Sequence, residues 1–181
     1  MSDDISKTGE DSPRDSAFNS SRPRRIKGFF GAYNHSVDAK GRMIVPQNFR
    51  ERLGEDIVIG LNMAQNSIAI YPYEVWEKKV DILTELRDQD ARAEEFLDRF
   101  SRFSFDSVSF DSQGRVLLPA ALRDMYLKDA AGVQVSGAND YVKVVSSQQA
   151  ADETRRFHDE HPDVLSEISR IQGSLRGKQG S

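Results

Sequence analysis

A thirteen-residue segment occurs twice in this chain, and the duplication limits the fold more than any other feature. Asp38-Ala39-Lys40-Gly41-Arg42-Met43-Ile44-Val45-Pro46-Gln47-Asn48-Phe49-Arg50 aligns without a gap on Asp111-Ser112-Gln113-Gly114-Arg115-Val116-Leu117-Leu118-Pro119-Ala120-Ala121-Leu122-Arg123, 73 residues later. Asp, Gly, Pro and both Arg coincide, and Met43, Ile44, Val45 and Phe49 have apolar counterparts. Glycine and proline each impose a backbone demand, so chance is a poor explanation. One copy offers only two or three short strands and cannot bury its apolar face alone. Two copies in one chain therefore predict a single α+β, mainly β, barrel of βαββ-type repeats with an approximate twofold axis.

Each copy reads as one supersecondary unit. Gly41 supplies a tight turn, Met43-Ile44-Val45 a short buried strand, and Pro46 the first residue of a helix that Gly54 closes. Ile57-Val58-Ile59 and Ser67 to Tyr71 read as strands joined by the Asn62 to Asn66 loop. Val133-Gln134-Val135 and Tyr141 to Val145 repeat that pair across Gly137-Ala138-Asn139-Asp140. Between the copies, Trp76, Val80, Leu83 and Leu86 keep helical spacing. Ala93, Phe96, Leu97, Phe100 and Phe103 resume it after a break at Asp88-Gln89-Asp90, as packing surface rather than a cofactor box. Ser146 and Gln149 form a capping-box pattern for a helix to about Phe157, ended by Pro162. The division expected is a disordered extension over 1–27, a first repeat with two helices over 28–103, a second repeat with a helix over 104–160, and a partly helical or disordered extension over 161–181.

Composition excludes more than it selects. The absence of cysteine removes disulfides, thiol nucleophiles and cysteine zinc sites. His158 and His161 lie in a polar stretch without zinc-site spacing, and His35 stands alone, so no metal, cofactor or small-molecule substrate is expected. No apolar run reaches membrane-span length and Met1-Ser2-Asp3-Asp4 does not begin a secretory signal, so a cytoplasmic protein without a membrane partner is expected. The net charge of −4 means that affinity for nucleic acid must come from a local basic face.

Lys40, Arg42, Arg50 and Arg52 supply that face: four cations in thirteen residues, able to neutralise phosphates and to bring an Arg to a guanine edge. The second turn is poorer, with Gln113 in place of the lysine, but Arg115 remains. Asp38 with Arg42, and Asp111 with Arg115, can equally pair across their own turns and pin them around Gly41 and Gly114. Lys40 has no obvious local counter-ion. The basic run Arg22-Pro23-Arg24-Arg25-Ile26-Lys27 reads either as added DNA affinity or as a solvated linker. Two aspartates related by a pseudo-twofold also suggest an aspartic protease. That chemistry needs a small hydroxyl residue and glycine directly after each aspartate, and here the glycine comes three positions later.

From Gly28 to about His158 the chain resembles the MraZ transcriptional regulators, which share the swapped-hairpin barrel of AbrB-type proteins. The likeness rests on Tyr33-Asn34-His35-Ser36-Val37-Asp38-Ala39-Lys40-Gly41-Arg42, on Tyr71-Pro72-Tyr73-Glu74-Val75-Trp76 and on the second Asp111 to Arg115 motif. The resemblance implies a nucleoid-associated repressor of the bacterial division and cell-wall gene cluster. Such a protein binds tandem promoter repeats in double-stranded DNA as a ring-shaped homo-oligomer, with Lys40, Arg42 and Arg115 facing the duplex. An AbrB-type antitoxin is the alternative. It would usually carry one barrel half per chain and a toxin-wrapping tail, whereas this chain carries both halves with helices between them.

Overall fold

The computed structural model describes residues 28–178. The N-terminal extension with its basic run, and the last residues of the tail, lie outside the described residues.

Fourteen elements follow one another in two sets of seven. The first set is β1 (Ala32–His35), β2 (Arg42–Ile44), α1 (Gln47–Leu53), β3 (Ile57–Leu61), β4 (Ile68–Pro72), α2 (Tyr73–Arg87) and α3 (Ala91–Arg102). The second is β5 (Phe105–Val108), β6 (Arg115–Leu117), α4 (Ala120–Tyr126), β7 (Val133–Gly137), β8 (Val142–Ser146), α5 (Ser147–Glu160) and α6 (Val164–Lys178). Corresponding elements start 73 to 76 residues apart.

Six strands form one antiparallel sheet in the order β1-β7-β8-β4-β3-β5, and β2 pairs with β6 in a separate two-stranded ribbon. The sheet order maps onto itself from either end when equivalent strands are exchanged. β1 pairs with β7 of the second set, Ala32 opposite Ser136, while β5 pairs with β3 of the first.

Burial follows what covers each face. All five residues of both β3 and β4 are buried, because one side faces the core and α2 with α3 cover the other. Near-continuous apolar sequence is what such strands require. β7 and β8 instead carry intermediate residues between buried ones. Phe49, Phe100, Leu118 and Leu122 fill the interior with the strand residues. Phe49 meets Phe29 and Tyr33 edge to face, with ring centres 5.8 and 5.4 Å away. Tyr71 donates its hydroxyl hydrogen to the Leu61 carbonyl at 3.0 Å, and its burial pushes the phenol pKa up.

Several sequence expectations need correction. The helices hold more residues than the strands, so the fold is mixed α/β rather than mainly β. Its strands are only three to five residues long while four of the helices run twelve to fifteen. Each unit also begins with a strand missing from the βαββ plan. β1 and β5 are largely exposed, so they show no apolar alternation, and they are held by backbone pairing. Pro46 occupies the cap before α1 rather than its first turn. Ser146 accepts from the Gln149 amide at 3.0 Å, but Gln149 sends its side-chain amide to the Asn66 carbonyl and Glu153, so the reciprocal arm of the box is absent. α5 runs past Phe157 to Glu160.

α3 is anchored chiefly by Phe100, which is fully buried and stacks on Phe96 at 6.4 Å. Phe100→Ala is expected to cost about 3–5 kcal/mol through lost burial and the cavity left behind. A urea denaturation midpoint unchanged from the parent would show that α3 does not hold the core together.

Candidate nucleic-acid interface

The two repeated turns share their backbone bonds and a bond from arginine Nε to aspartate, and Arg42 alone adds its Nη2. In the first, the Gly41 amide donates to the Asp38 carbonyl at 2.8 Å and the Asp38 amide to the Arg42 carbonyl at 2.9 Å. Asp38 Oδ1 accepts from the amides of Lys40 and Arg42, each at 2.9 Å, and Oδ2 takes Nε and Nη2 of Arg42 at 2.8 and 2.7 Å. In the second, the Gly114 amide donates to the Asp111 carbonyl at 2.9 Å. Asp111 Oδ1 accepts from Gln113 and Arg115 at 2.9 Å, and Oδ2 from Nε of Arg115 at 2.8 Å. Both glycines hold positive φ, +83° and +72°, which the tight turn requires.

Donation from the Arg42 amide, then from its guanidinium, pulls the Asp38 carboxyl down to about 2. The Asp111 carboxyl is lowered chiefly by the Arg115 amide. Both stay ionised at neutral pH, so each guanidinium is held in one orientation by its own turn.

The ribbon fixes where the turns stand. Arg42 lies opposite Leu117, Met43 opposite Val116, and Ile44 opposite Arg115. The pairing continues from Val45 to the Gly114 carbonyl at 3.1 Å and from Leu118 to the Gly41 carbonyl at 3.0 Å. The turns therefore sit at opposite ends of one ribbon, roughly 14 Å apart by strand rise. Met43 and Val116 point into the core and are fully buried. The alternation of a strand then puts Arg42, Ile44, Arg115 and Leu117 on the outer face, where Ile44 and Leu117 are 46% and 55% exposed. Aspartates at opposite ends of the ribbon cannot share a proton, which removes the geometry of a protease dyad.

Arg50 goes elsewhere than its sequence neighbours. Its Nε donates to the Val45 carbonyl at 3.0 Å, and its guanidinium covers Gly114 of the other turn so closely that a Cβ there would lie 2.5 Å from Cζ. Arg123 does the same in reverse, bonding the Leu118 carbonyl at 3.0 Å and covering Gly41. Each turn thus carries an arginine lent by the opposite half. Lys40 is exposed and makes no ion pair among the described residues. Arg52 is also exposed and donates to the Gly28 carbonyl. Sequence reading placed Lys40, Arg42, Arg50 and Arg52 on one basic face, with Arg115 as a further DNA contact on the poorer second turn. The structure brings Arg42 and Arg115 to one ribbon face, sets Lys40 at the tip of the first turn, and places Arg50 beside the second. The reciprocal brace escaped that reading, and Ile44, expected to be buried with Met43 and Val45, is exposed like its counterpart Leu117, because only alternate residues of the ribbon face the core. Their one sequence signal was that each recurs at the same place in both copies.

Among the described residues no His, Asp and Glu side chains gather into a group able to hold a metal, and no helix is long and apolar enough to cross a membrane.

Residues 29–99 match the family described as "MraZ protein, putative antitoxin-like". A protein of Clostridium tetani named transcriptional regulator MraZ is 43% identical over 100 residues, 52% of this chain and 65% of that relative. One of the same name from Desulfitobacterium hafniense is 35% identical over 148 residues, 79% of this chain and 98% of the relative. Another, from Natranaerobius thermophilus, is 38% identical over 127 residues, 67% of this chain and 82% of the relative. Likeness at 35% identity over 79% of this chain and 98% of the relative places the chain in the MraZ family.

Proposed function

We propose that this protein is a sequence-specific DNA-binding transcription regulator whose reading surface is the outer face of the β2–β6 ribbon with its two flanking turns. The observation that carries the reading is the pair of aspartate-locked arginines, Arg42 and Arg115, on one exposed face of a two-stranded ribbon. An element of that width enters the major groove. A guanidinium held through Nε and Nη2, as in Arg42, keeps Nη1 for a base or phosphate without losing rotamer freedom on binding. Lys40, at the tip of the first turn, is suited to a phosphate. Arg50 and Arg123, lying over the glycines, raise the positive potential at each turn in a chain of net charge −4. Ile44 and Leu117 between the arginines offer apolar contact to thymine methyls.

The exchange of β1 and β5 between the two sets of elements supports a swapped-hairpin barrel with a pseudo-twofold, its halves over 28–103 and 104–160. The names of the relatives support regulation of transcription. The finer reading is a repressor of the division and cell-wall gene cluster that binds tandem promoter repeats as a ring-shaped homo-oligomer in the cytoplasm, at the nucleoid. Repetition of sites suits such an assembly, because weak contacts from several subunits add through effective concentration. The antitoxin reading is favoured by the family description alone. Light scattering separates the two, since a simple dimer counts against the ring.

Three outcomes test the reading. Arg42→Ala should weaken binding to the protein's own upstream promoter fragment by about 1–3 kcal/mol. The turn should survive, because Asp38 keeps its bonds from the backbone amides; unchanged affinity in a gel shift rejects the assignment. Lys40→Ala should reduce the log–log salt slope of binding by about one if it meets a phosphate, and an unaltered slope places Lys40 away from DNA. The third outcome concerns pH. A depressed carboxyl contributes stability above its unfolded pKa and loses it as pH falls through the folded one. The Asp38 lock should therefore be complete above about pH 4 and be lost as pH falls through about 2. A carboxyl-carbon NMR titration of Asp38 with its midpoint at about 4, the ordinary value, would show the lock to be absent in solution.

A further inference from the structure

The chain enters its fold at a fixed point. The Gly28 carbonyl accepts from the exposed Arg52 of α1, and the Phe29 amide donates to the Asn139 carbonyl at 2.7 Å. Phe29 is buried against Phe49 of the same helix. Its backbone passes so close to Gly137 that a Cβ there would lie 2.2 Å from it. Whatever precedes Gly28 is therefore delivered beside the C-terminal end of α1. The six residues delivered there are Arg22-Pro23-Arg24-Arg25-Ile26-Lys27, with four cations and no acid.

α1 ties that exit to one turn of the two. It follows Val45, whose amide bonds the Gly114 carbonyl, and its Arg50, two residues before Arg52, covers Gly114. The first turn is covered from α4 instead, by Arg123. The second turn is also the one short of charge, since Gln113 stands where the first has Lys40. The first turn receives no matching supply, because the residues that correspond to 22–27 are Glu95 to Phe100, inside α3. Six extended residues span about 20 Å, whereas the seven residues of α1 rise only about 10 Å. The basic run thus outreaches the helix that separates its root from the second turn. We propose that residues 22–27 act as a phosphate-binding arm that grips the DNA backbone beside the second turn and supplies the cation that Gln113 withholds. Phosphate is the group recognised, because a short run of ammonium and guanidinium groups neutralises the backbone of any sequence. The proposal rests on the reading of the β2–β6 ribbon as the DNA surface.

Arg22, Arg24, Arg25 and Lys27 replaced together by Gln in the full chain should weaken binding to the protein's own upstream promoter fragment about tenfold or more. The log–log salt slope should fall by about two or more. The thermal midpoint should hold, because the four positions precede Phe29, the first buried side chain among the described residues. Placement is tested separately, in a chain that has no cysteine of its own. An iron–EDTA cleavage reagent on Arg25→Cys should cut each bound repeat on the side cut from Gln113→Cys, and not on the side cut from Lys40→Cys. An unchanged slope overturns the proposal, as does cutting from Arg25→Cys on the Lys40 side or on both sides alike. A parent chain without affinity for the fragment removes the ribbon reading itself, whereas a parent that binds and a variant that keeps its slope remove the arm alone.

Discussion

Backbone pairing between β2 and β6 is the constraint from which the rest of the molecule takes its form. The ribbon is only three residues long on each side, too short to be stable by itself. It is extended at both ends by bonds from Val45 and Leu118 to the glycine carbonyls of the opposite turns, and braced by Arg50 and Arg123 lying over those glycines. A side chain on either glycine would displace the brace of the other half. The two halves are thus joined where their turns are most exposed, and the orientation of each turn depends on a residue from its counterpart.

Charge in these turns is arranged for order more than for magnitude. Each aspartate cancels one positive charge and in return fixes an arginine that would otherwise sample many rotamers. Lys40 and the two bracing arginines restore the local excess. Acidic residues outnumber basic ones on other elements, by four to three in α2 and four to two in α5, so net charge conceals a basic edge. Composition could not have located it.

Much of this was legible before any coordinates. β3, β4, β7 and β8 announce themselves because apolar residues that face a core must be apolar, and the turns because Gly41 and Gly114 recur with their aspartates and arginines. β1 and β5 were invisible: Ala-Tyr-Asn-His and Phe-Asp-Ser-Val carry little burial, and their cohesion is hydrogen bonding that any sequence can make. The brace made by Arg50 could not be read, because its partner, a glycine 64 positions away in sequence, offers no side chain to suggest a contact.

The exchange of β1 and β5 bears on how the protein is made. Ala32 finds its partner at Ser136, about a hundred residues later, so the first half leaves the ribosome with a strand that has nothing to pair with. β3 likewise waits for β5, and β4 for β8. Pairings so distant in sequence close slowly. Until β5 and then β8 have emerged, the nascent chain exposes the open edges of the apolar strands β3 and β4 in turn, the condition in which neighbouring polypeptides on one message can join the wrong halves together.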